Sequence, residues 1–146
     1  MNETLVQKQF GVAAPDYATS TVHASGPSLA RLVALVPTQR EWSALDVATG
    51  AGHTALAFAP HVARVVASDI TDAMLRETEK LAAARGLTNV ETAKGEAGKL
   101  PFADSSFDLA TCRLAAHHFP DVAAFVAESF RVLKPGGYFA LVDNVS

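Results

Sequence analysis

Several features that define other classes of protein are scarce in this sequence. Its 146 residues contain a single cysteine, Cys112. No disulfide can form within the chain, and we expect a reducing, cytoplasmic setting. No apolar run approaches the roughly 18 residues that a membrane-spanning helix needs. The N-terminus lacks a basic region followed by an apolar core, so we predict no secretory signal.

An excess of positive charge is also lacking. Twelve Lys and Arg residues stand against fifteen Asp and Glu, which gives a net charge of -3. No basic block is present, so a nucleic-acid partner has no electrostatic support. The chain is 49% hydrophobic and 18% charged, which is typical of a folded globular protein. We find no internal repeat or low-complexity tract, and we predict a single domain.

Strand-like and helix-like segments alternate along most of the chain. Short apolar runs predict strands, and apolar residues at helical spacing predict helices between them. This alternation indicates an α/β fold with a doubly wound parallel sheet and helices on both faces. Ligands of such sheets bind beyond the carboxyl ends of the strands. The predicted strands lie at 43–48, 63–69, 89–94, 107–112 and 138–143, and helices begin near 28, 53, 71 and 120.

A turn rich in small residues follows the first predicted strand, in the stretch LDVATGAGHTAL at 45–56. Glycine lets backbone approach a ligand closely, and Gly50 and Gly52 lie just before a helix N-terminus that favours negative groups. Asp46 precedes this turn, and it either accepts a hydrogen bond from a ligand or shapes the loop. Asp69 ends the second strand, where a carboxylate typically binds ribose hydroxyls. The pattern therefore predicts an adenosine-containing cofactor.

Five segments together resemble a known family. In order and spacing they are similar to the motifs of class I S-adenosylmethionine-dependent methyltransferases, in the branch of the ubiquinone and menaquinone biosynthesis enzymes. The resemblance runs from about residue 10 to the C-terminus. It implies a Rossmann-like fold, S-adenosylmethionine as cofactor and an enzyme that methylates a small molecule. The segments are LDVATGAGHTA, ASDITDAML, GEAGKLPF, SFDLATCRLAAHHFPD and SFRVLKPGGYFALVD.

The resemblance also implies roles for individual residues. Asp69 would bind the ribose hydroxyls, and the main chain of Arg113 would lie beside the methionine moiety. The methionine end of the cofactor would be held by Asp46 and the turn Ala48, Thr49, Gly50 and Gly52. The adenine would contact Ile70, Met74, Glu96 and Ala97. The acceptor side would include Tyr17, His23, His117 and His118.

All four acceptor-side residues are candidates, and the sequence selects none of them as the catalytic residue. His117 and His118 are adjacent and point in different directions, so each is either a general base or a loop residue that shapes the pocket. Tyr17 and His23 belong to the N-terminal segment, where either could cover the cofactor. We see no additional ligands at metal-binding spacing, and we predict no metal site.

The sequence departs from the family pattern at three points. Ala48 stands where the family usually has glycine, and Glu96 stands where aspartate is usual. The family fold normally continues with another helix and two strands, whereas this sequence stops after the fifth predicted strand. That strand, 138–142, would then be an exposed apolar edge. We expect a homodimer through this edge, a domain-swapped or aggregation-prone product, or a fragment of a longer protein.

Two other hypotheses remain open from the sequence. The stretch GAGHTA at 50–55 fits the dinucleotide pattern G-x-G-x-x-G/A, which would suit a nicotinamide-dependent oxidoreductase. A noncatalytic or incomplete cofactor-binding fragment would explain the missing final strands. In the leading hypothesis, residues 1–40 form an N-terminal cap and first helix, and 41–146 form the Rossmann-like core of one methyltransferase domain.

Overall fold

A single mixed sheet organises the protein in the computed structural model, which describes residues 2–9, 12–19, 27–113 and 119–145. Within this part of the chain the sheet has seven strands, in the order β2-β1-β7-β6-β3-β4-β5. Strands β3 to β7 are parallel to one another, as the sequence predicts. Their bounds are β3 Ser43–Val47, β4 Arg64–Asp69, β5 Val90–Lys94, β6 Phe107–Arg113 and β7 Leu133–Val145.

Four helices flank the sheet among the described residues. They are α1 Pro27–Leu35, α2 His53–Phe58, α3 Asp72–Ala84 and α4 Val122–Val132. The helix predicted to begin near residue 53 is short: α2 ends at Phe58, and a 3-10 turn follows at Ala59–His61. Pro60 accounts for the short length, because proline has no N–H to continue an α-helical ladder. No helix in these ranges is both long enough and apolar enough to cross a membrane.

Successive residues of the central strands serve opposite faces of the sheet. In β3, Ala44 packs with Leu32 of α1 and Phe58 of α2 on one face. Its neighbour Leu45 packs on the other face with Phe125 of α4. Strands buried on both faces consist of almost uninterrupted apolar residues, which is why these segments were recognisable in the sequence. The doubly wound α/β prediction is confirmed.

The prediction of an exposed edge at the fifth parallel strand is wrong. Strand β1, Asn2–Gln9, pairs antiparallel with β7 from Asn2↔Val145 to Gln9↔Tyr138. Strand β2, Val12–Thr19, pairs antiparallel with β1 and forms the edge of the sheet. An open β7 edge would present unpaired N–H and C=O groups, and an extended segment of the same chain satisfies them. A homodimer through this edge therefore loses its structural basis.

Backbone chemistry accounts for one detail of strand β2 and one of strand β7. Pro15 lies in β2 opposite Val6, and an edge strand tolerates a residue that lacks an N–H. Strand β7 begins at Leu133, earlier than the predicted 138, so KPGG at 134–137 lies within the strand. Pairing with β6 shifts register between Phe107 and Leu109, and the positive φ of Gly136 (82°) lies in the opposing irregular stretch.

Candidate cofactor site

A cavity of about 820 Å³ opens at the carboxyl ends of the parallel strands. This is the edge of the sheet at which the topology predicts ligand binding. The turn after β3, the ends of β4 and β5 and the start of α4 form its walls. The lining includes Ala48, Asp69, Ile70, Lys94, Glu96, Ala97, Asp121 and Ala124.

Asp69 connects the cavity wall to the glycine turn, which consists of residues 48–52 and follows β3. Its Oδ2 accepts a hydrogen bond from the Gly50 amide at 2.9 Å, and its Oδ1 accepts one from the Thr71 amide at 3.0 Å. The residue is 9% exposed and lines the cavity. A carboxylate can accept about four hydrogen bonds, so these two leave lone pairs for a ligand. Asp69 is thus held in place while it keeps accepting capacity.

Asp46 lies beneath the turn and is 2% exposed. Its carboxylate accepts hydrogen bonds from Thr49 Oγ1 and Thr111 Oγ1, both at 2.7 Å. Burial raises the pKa of Asp46 from 3.8 to about 6, against the opposing effect of these two bonds. Of the two roles that the sequence left open, this geometry matches the shaping of the loop.

The two glycines of the turn meet different surroundings. Gly50 has φ 58°, and a Cβ there would have no heavy atom within 4 Å. Gly52 has φ 92°, and its Cβ would lie 2.6 Å from Cγ2 of Thr78 in α3. The missing side chain at Gly52 therefore makes room for a helix. Ala48 has φ 54°, in the left-handed region where a Cβ is strained, which explains why glycine would suit this position.

Three of the four residues predicted to contact adenine lie in the wall of the cavity. Ile70, Glu96 and Ala97 line the cavity. The side chain of Ile70 is 64% exposed. Met74 is 37% exposed in the first turns of α3 but is outside the lining. A large apolar side chain exposed beside a cavity is available to pack against a flat ligand.

Arg113 ends β6 and uses its side chain to tie helices together. Its Nε donates to Thr54 Oγ1 of α2 at 3.3 Å, and Nη1 donates to Ser28 Oγ of α1 at 3.1 Å. The sequence pointed to the main chain of Arg113 and gave no role to its guanidinium. The periodicity of a strand carries no signal for such a link, because the partners come from two other elements.

Two charged residues of the cavity were missed by sequence reasoning. Lys94 ends β5 and pairs with Asp72 at 3.3 Å. Asp121 caps α4 by accepting from the Ala124 amide at 3.0 Å. Their positions at a strand end and before a helix were the available signals. With Asp69 and Glu96, the lining holds three carboxylates and one ammonium, so the cavity favours a cationic ligand over an anionic one.

The predicted acceptor-side residues are not brought together by the described structure. His23, His117 and His118 lie outside the described residues. Tyr17 lies in β2 opposite Thr4, which pairs with Asp143 of β7. Strand β2 is four strand spacings from β3, about 19 Å, so Tyr17 is on the far edge of the sheet. Across the described ranges, no group of three or more His, Cys, Asp or Glu side chains could hold a metal ion.

A parallel sheet with a glycine turn after one strand and a carboxylate after the next is the arrangement at which α/β proteins typically bind nucleoside-containing cofactors. The model of the Methyltransferase domain family matches residues 45–141, and this match covers the turn and the cavity. The chain belongs to this family. The dehydrogenase hypothesis rested on the G-x-G-x-x-A pattern alone, and it gains no support from this assignment.

Several proteins similar to this chain are named methyltransferases. The chain is 43% identical to the uncharacterized methyltransferase YcgJ of Bacillus subtilis, over 92% of this chain and 53% of that protein. It is 39% identical to a demethylmenaquinone methyltransferase of Geobacillus kaustophilus, over 73% of this chain and 47% of the relative. A solved structure of a SAM-dependent methyltransferase from Aquifex aeolicus has a TM-score of 0.72 at 26% identity, and covers 82% of this chain and 68% of its own.

The chain spans about half the length of the curated relatives it matches. The family and the fold are therefore established for this segment.

Proposed function

We propose that the chain binds S-adenosylmethionine in the cavity at the carboxyl ends of β3, β4 and β5, and that it serves methyl transfer to a small-molecule acceptor. The observation that carries this proposal is the position of Asp69. Its carboxylate lines the cavity and is oriented by the Gly50 and Thr71 amides, with accepting capacity left for ribose hydroxyls.

The residues present fit this cofactor in size and charge. A cavity of about 820 Å³ lies within the ordinary range for small-molecule sites, roughly 300–1,000 Å³. The excess of carboxylates on its wall suits the positive sulfonium and ammonium groups of S-adenosylmethionine. It disfavours the diphosphate of a nicotinamide dinucleotide. Adenine would pack against Ile70 and Met74, and Glu96 and Ala97 would lie at the edge of the adenine ring.

The turn would hold the methionine end of the cofactor. Ala48 lines the cavity and would face the methionine end with main chain. Thr49, Gly50 and Gly52 lie outside the lining and would complete the same turn, which Asp46 supports from below. The main chain of Arg113 would lie beside the same moiety. In this arrangement Asp46 acts by fixing the turn, because its carboxylate is buried among the Thr49 and Thr111 hydroxyls.

S-adenosylmethionine supplies an electrophilic methyl group when it is bound. The protein must hold acceptor and cofactor in line and exclude water. Orientation of this kind supplies roughly 7–11 kcal/mol in well-placed systems. A general base is needed only for an acceptor that arrives protonated, and His23, His117 and His118 remain the candidates for that proton.

The acceptor in this proposal is a small aromatic or lipid-like molecule that is methylated on carbon or oxygen. The relative named demethylmenaquinone methyltransferase supports this class. The single cysteine of the sequence supports a reducing setting, and we propose the cytoplasm.

Asp69→Asn tests the proposed function. Asparagine keeps the size of the side chain and one oxygen. It removes the charge that strengthens hydrogen bonds to the ribose, and its NH2 group replaces one of the two oxygens that accept from the Gly50 and Thr71 amides. Loss of a charged hydrogen-bond partner costs about 1.5–3 kcal/mol, so S-adenosylhomocysteine should bind roughly ten- to a hundredfold more weakly by calorimetry.

Glu91→Gln is the matched control, since it makes the same charge change in β5 at an exposed ion pair with Arg64, outside the lining. It should bind like the parent chain. Equal affinities for the parent, Asp69→Asn and Glu91→Gln would contradict the assignment. Consumption of S-adenosylmethionine over a panel of acceptors then separates an active enzyme from a noncatalytic binding fragment.

A further inference from the structure

Thr78 lies in the middle of α3, at the back of the glycine turn. It is fully buried on a helix face whose other buried members, Leu75 and Ala82, are apolar. Its Oγ1 donates to the carbonyl oxygen of Gly50 at 3.1 Å. Its Cγ2 lies 2.6 Å from where a Cβ of Gly52 would be. One side chain therefore contacts both glycines of the turn.

Gly50 is held from two sides by two different elements. Asp69 of β4 accepts from its amide, and Thr78 of α3 donates to its carbonyl. A glycine in the left-handed region otherwise has wide conformational freedom. Bonds to both of its peptide groups restrict rotation about its φ and ψ. A turn ordered in advance loses less entropy when a ligand binds, which strengthens binding.

The Thr78 hydroxyl has an alternative acceptor within its own helix. Oγ1 also lies 3.0 Å from the carbonyl oxygen of Met74. A hydroxyl has one proton, so the two carbonyls share it. When the bond to Gly50 opens, the Thr78 donor keeps the Met74 carbonyl as its partner, whereas the Gly50 carbonyl loses the Thr78 hydroxyl. The group that loses its partner therefore belongs to the turn and not to α3.

We propose that Thr78 is a positioning residue that sets the conformation of the turn 48–52 from α3, and through it the affinity for the cofactor. This inference rests on the proposed function, in which that turn holds the methionine end of S-adenosylmethionine. Thr78 itself is outside the cavity lining and acts through Gly50 and Gly52.

Thr78→Val and Thr78→Ser separate the hydroxyl from the shape of the side chain. Valine keeps the branched shape without the donor, and serine keeps the donor without the methyl. We expect Thr78→Val to weaken S-adenosylhomocysteine binding roughly threefold to tenfold. Thr78→Ser should restore affinity to within about twofold of the parent, which a purely structural role would not require. Thr92→Val is the control, because Thr92 lies in β5 and its hydroxyl donates to Glu79, away from the turn.

Amide hydrogen exchange gives a readout that needs no ligand. The Gly50 and Gly52 amides, which donate to Asp69 and Thr49, should exchange faster in Thr78→Val and at the parent rate in Thr78→Ser. If the parent chain fails to bind S-adenosylhomocysteine, the proposed function fails, and exchange alone then decides the role of Thr78. Unchanged exchange in Thr78→Val, parent-like binding by Thr78→Val, or no rescue by serine would each overturn the inference.

Discussion

Replacing each glycine of the turn by alanine should give two distinct costs. Gly50 and Gly52 both have positive φ, so each alanine places a Cβ in a strained backbone conformation. At Gly50 the new methyl enters open space. At Gly52 it would lie 2.6 Å from Cγ2 and 2.7 Å from Oγ1 of Thr78, closer than real Cβ contacts allow. The two positions thus share one penalty and differ in the second.

The shared penalty is about 1–2 kcal/mol for a Cβ in the left-handed region. The lower entropy of the unfolded alanine chain offsets about 0.4–1 kcal/mol of it. We therefore expect Gly50→Ala to lower the free energy of unfolding by about 1 kcal/mol. Gly52→Ala adds the displacement of Thr78, and overpacking of this kind costs about 1–3 kcal/mol. Its total should be about 2–4 kcal/mol.

Urea unfolding followed by circular dichroism measures both free energies of unfolding. In thermal unfolding, a chain of this size should show a fall in Tm of about 3 °C for Gly50→Ala and about 6–12 °C for Gly52→Ala. Thr78→Ala removes both of the closest atoms, so the pair Gly52→Ala and Thr78→Ala should be less destabilising than the sum of the single changes by about 1–2 kcal/mol. Equal costs at the two glycines, or strict additivity with Thr78→Ala, would refute the packing explanation for Gly52.

Three further predictions concern Ala48 and Asp46 at the turn and Arg131 in the last turn of α4. Ala48→Gly should raise the free energy of unfolding by up to about 1 kcal/mol, because it relieves the φ of 54°; thermal unfolding measures this, and a clear loss of stability would contradict it. The folded-state pKa of Asp46, about 6, exceeds the unfolded value of 3.8, so this residue should cost stability as the pH rises from about 4 to 6, by about 3 kcal/mol. Asp46→Asn should abolish that slope in urea titrations at several pH values, and an unchanged slope would reject the buried acid. Arg131→Lys should cost about 1–2 kcal/mol, because the guanidinium donates to the main-chain oxygens of Leu100 and Phe102 at 2.9 and 2.8 Å and to Glu128. Hydrogen bonding to Arg131 lowers the pKa of Glu128, so this cost should shrink as the pH falls through that pKa, and a pH-independent cost would contradict the ion pair.

The order of strands and helices from β3 to β7 follows from local features of the sequence. Buried parallel strands consist of apolar runs such as Ser43–Val47, and the helices between them have apolar stripes. Asp69 and the glycine turn were also predictable, because their positions at strand ends define where ligands bind.

The remaining features depend on contacts between distant segments. Strand β1 exists in the sheet because β7 offers an edge, and nothing in residues 2–9 alone signals that pairing. The burial of Asp46 depends on Thr111, which is 65 positions further along the chain. The packing of Gly52 depends on Thr78 in another helix. Local periodicity contains no information on such partners.

The central claim is that the cavity beside Asp69 binds the adenosine cofactor, and nuclear magnetic resonance tests it most directly. The uniformly 15N-labelled chain would be titrated with S-adenosylhomocysteine, with NAD as the comparison ligand. The account predicts saturable shifts at the amides of Gly50, Ile70, Glu96 and Ala97, with NAD producing none. Absence of saturable shifts from a folded chain, or shifts confined to the region of Ser105 and Gly136 at a separate pocket, would contradict it.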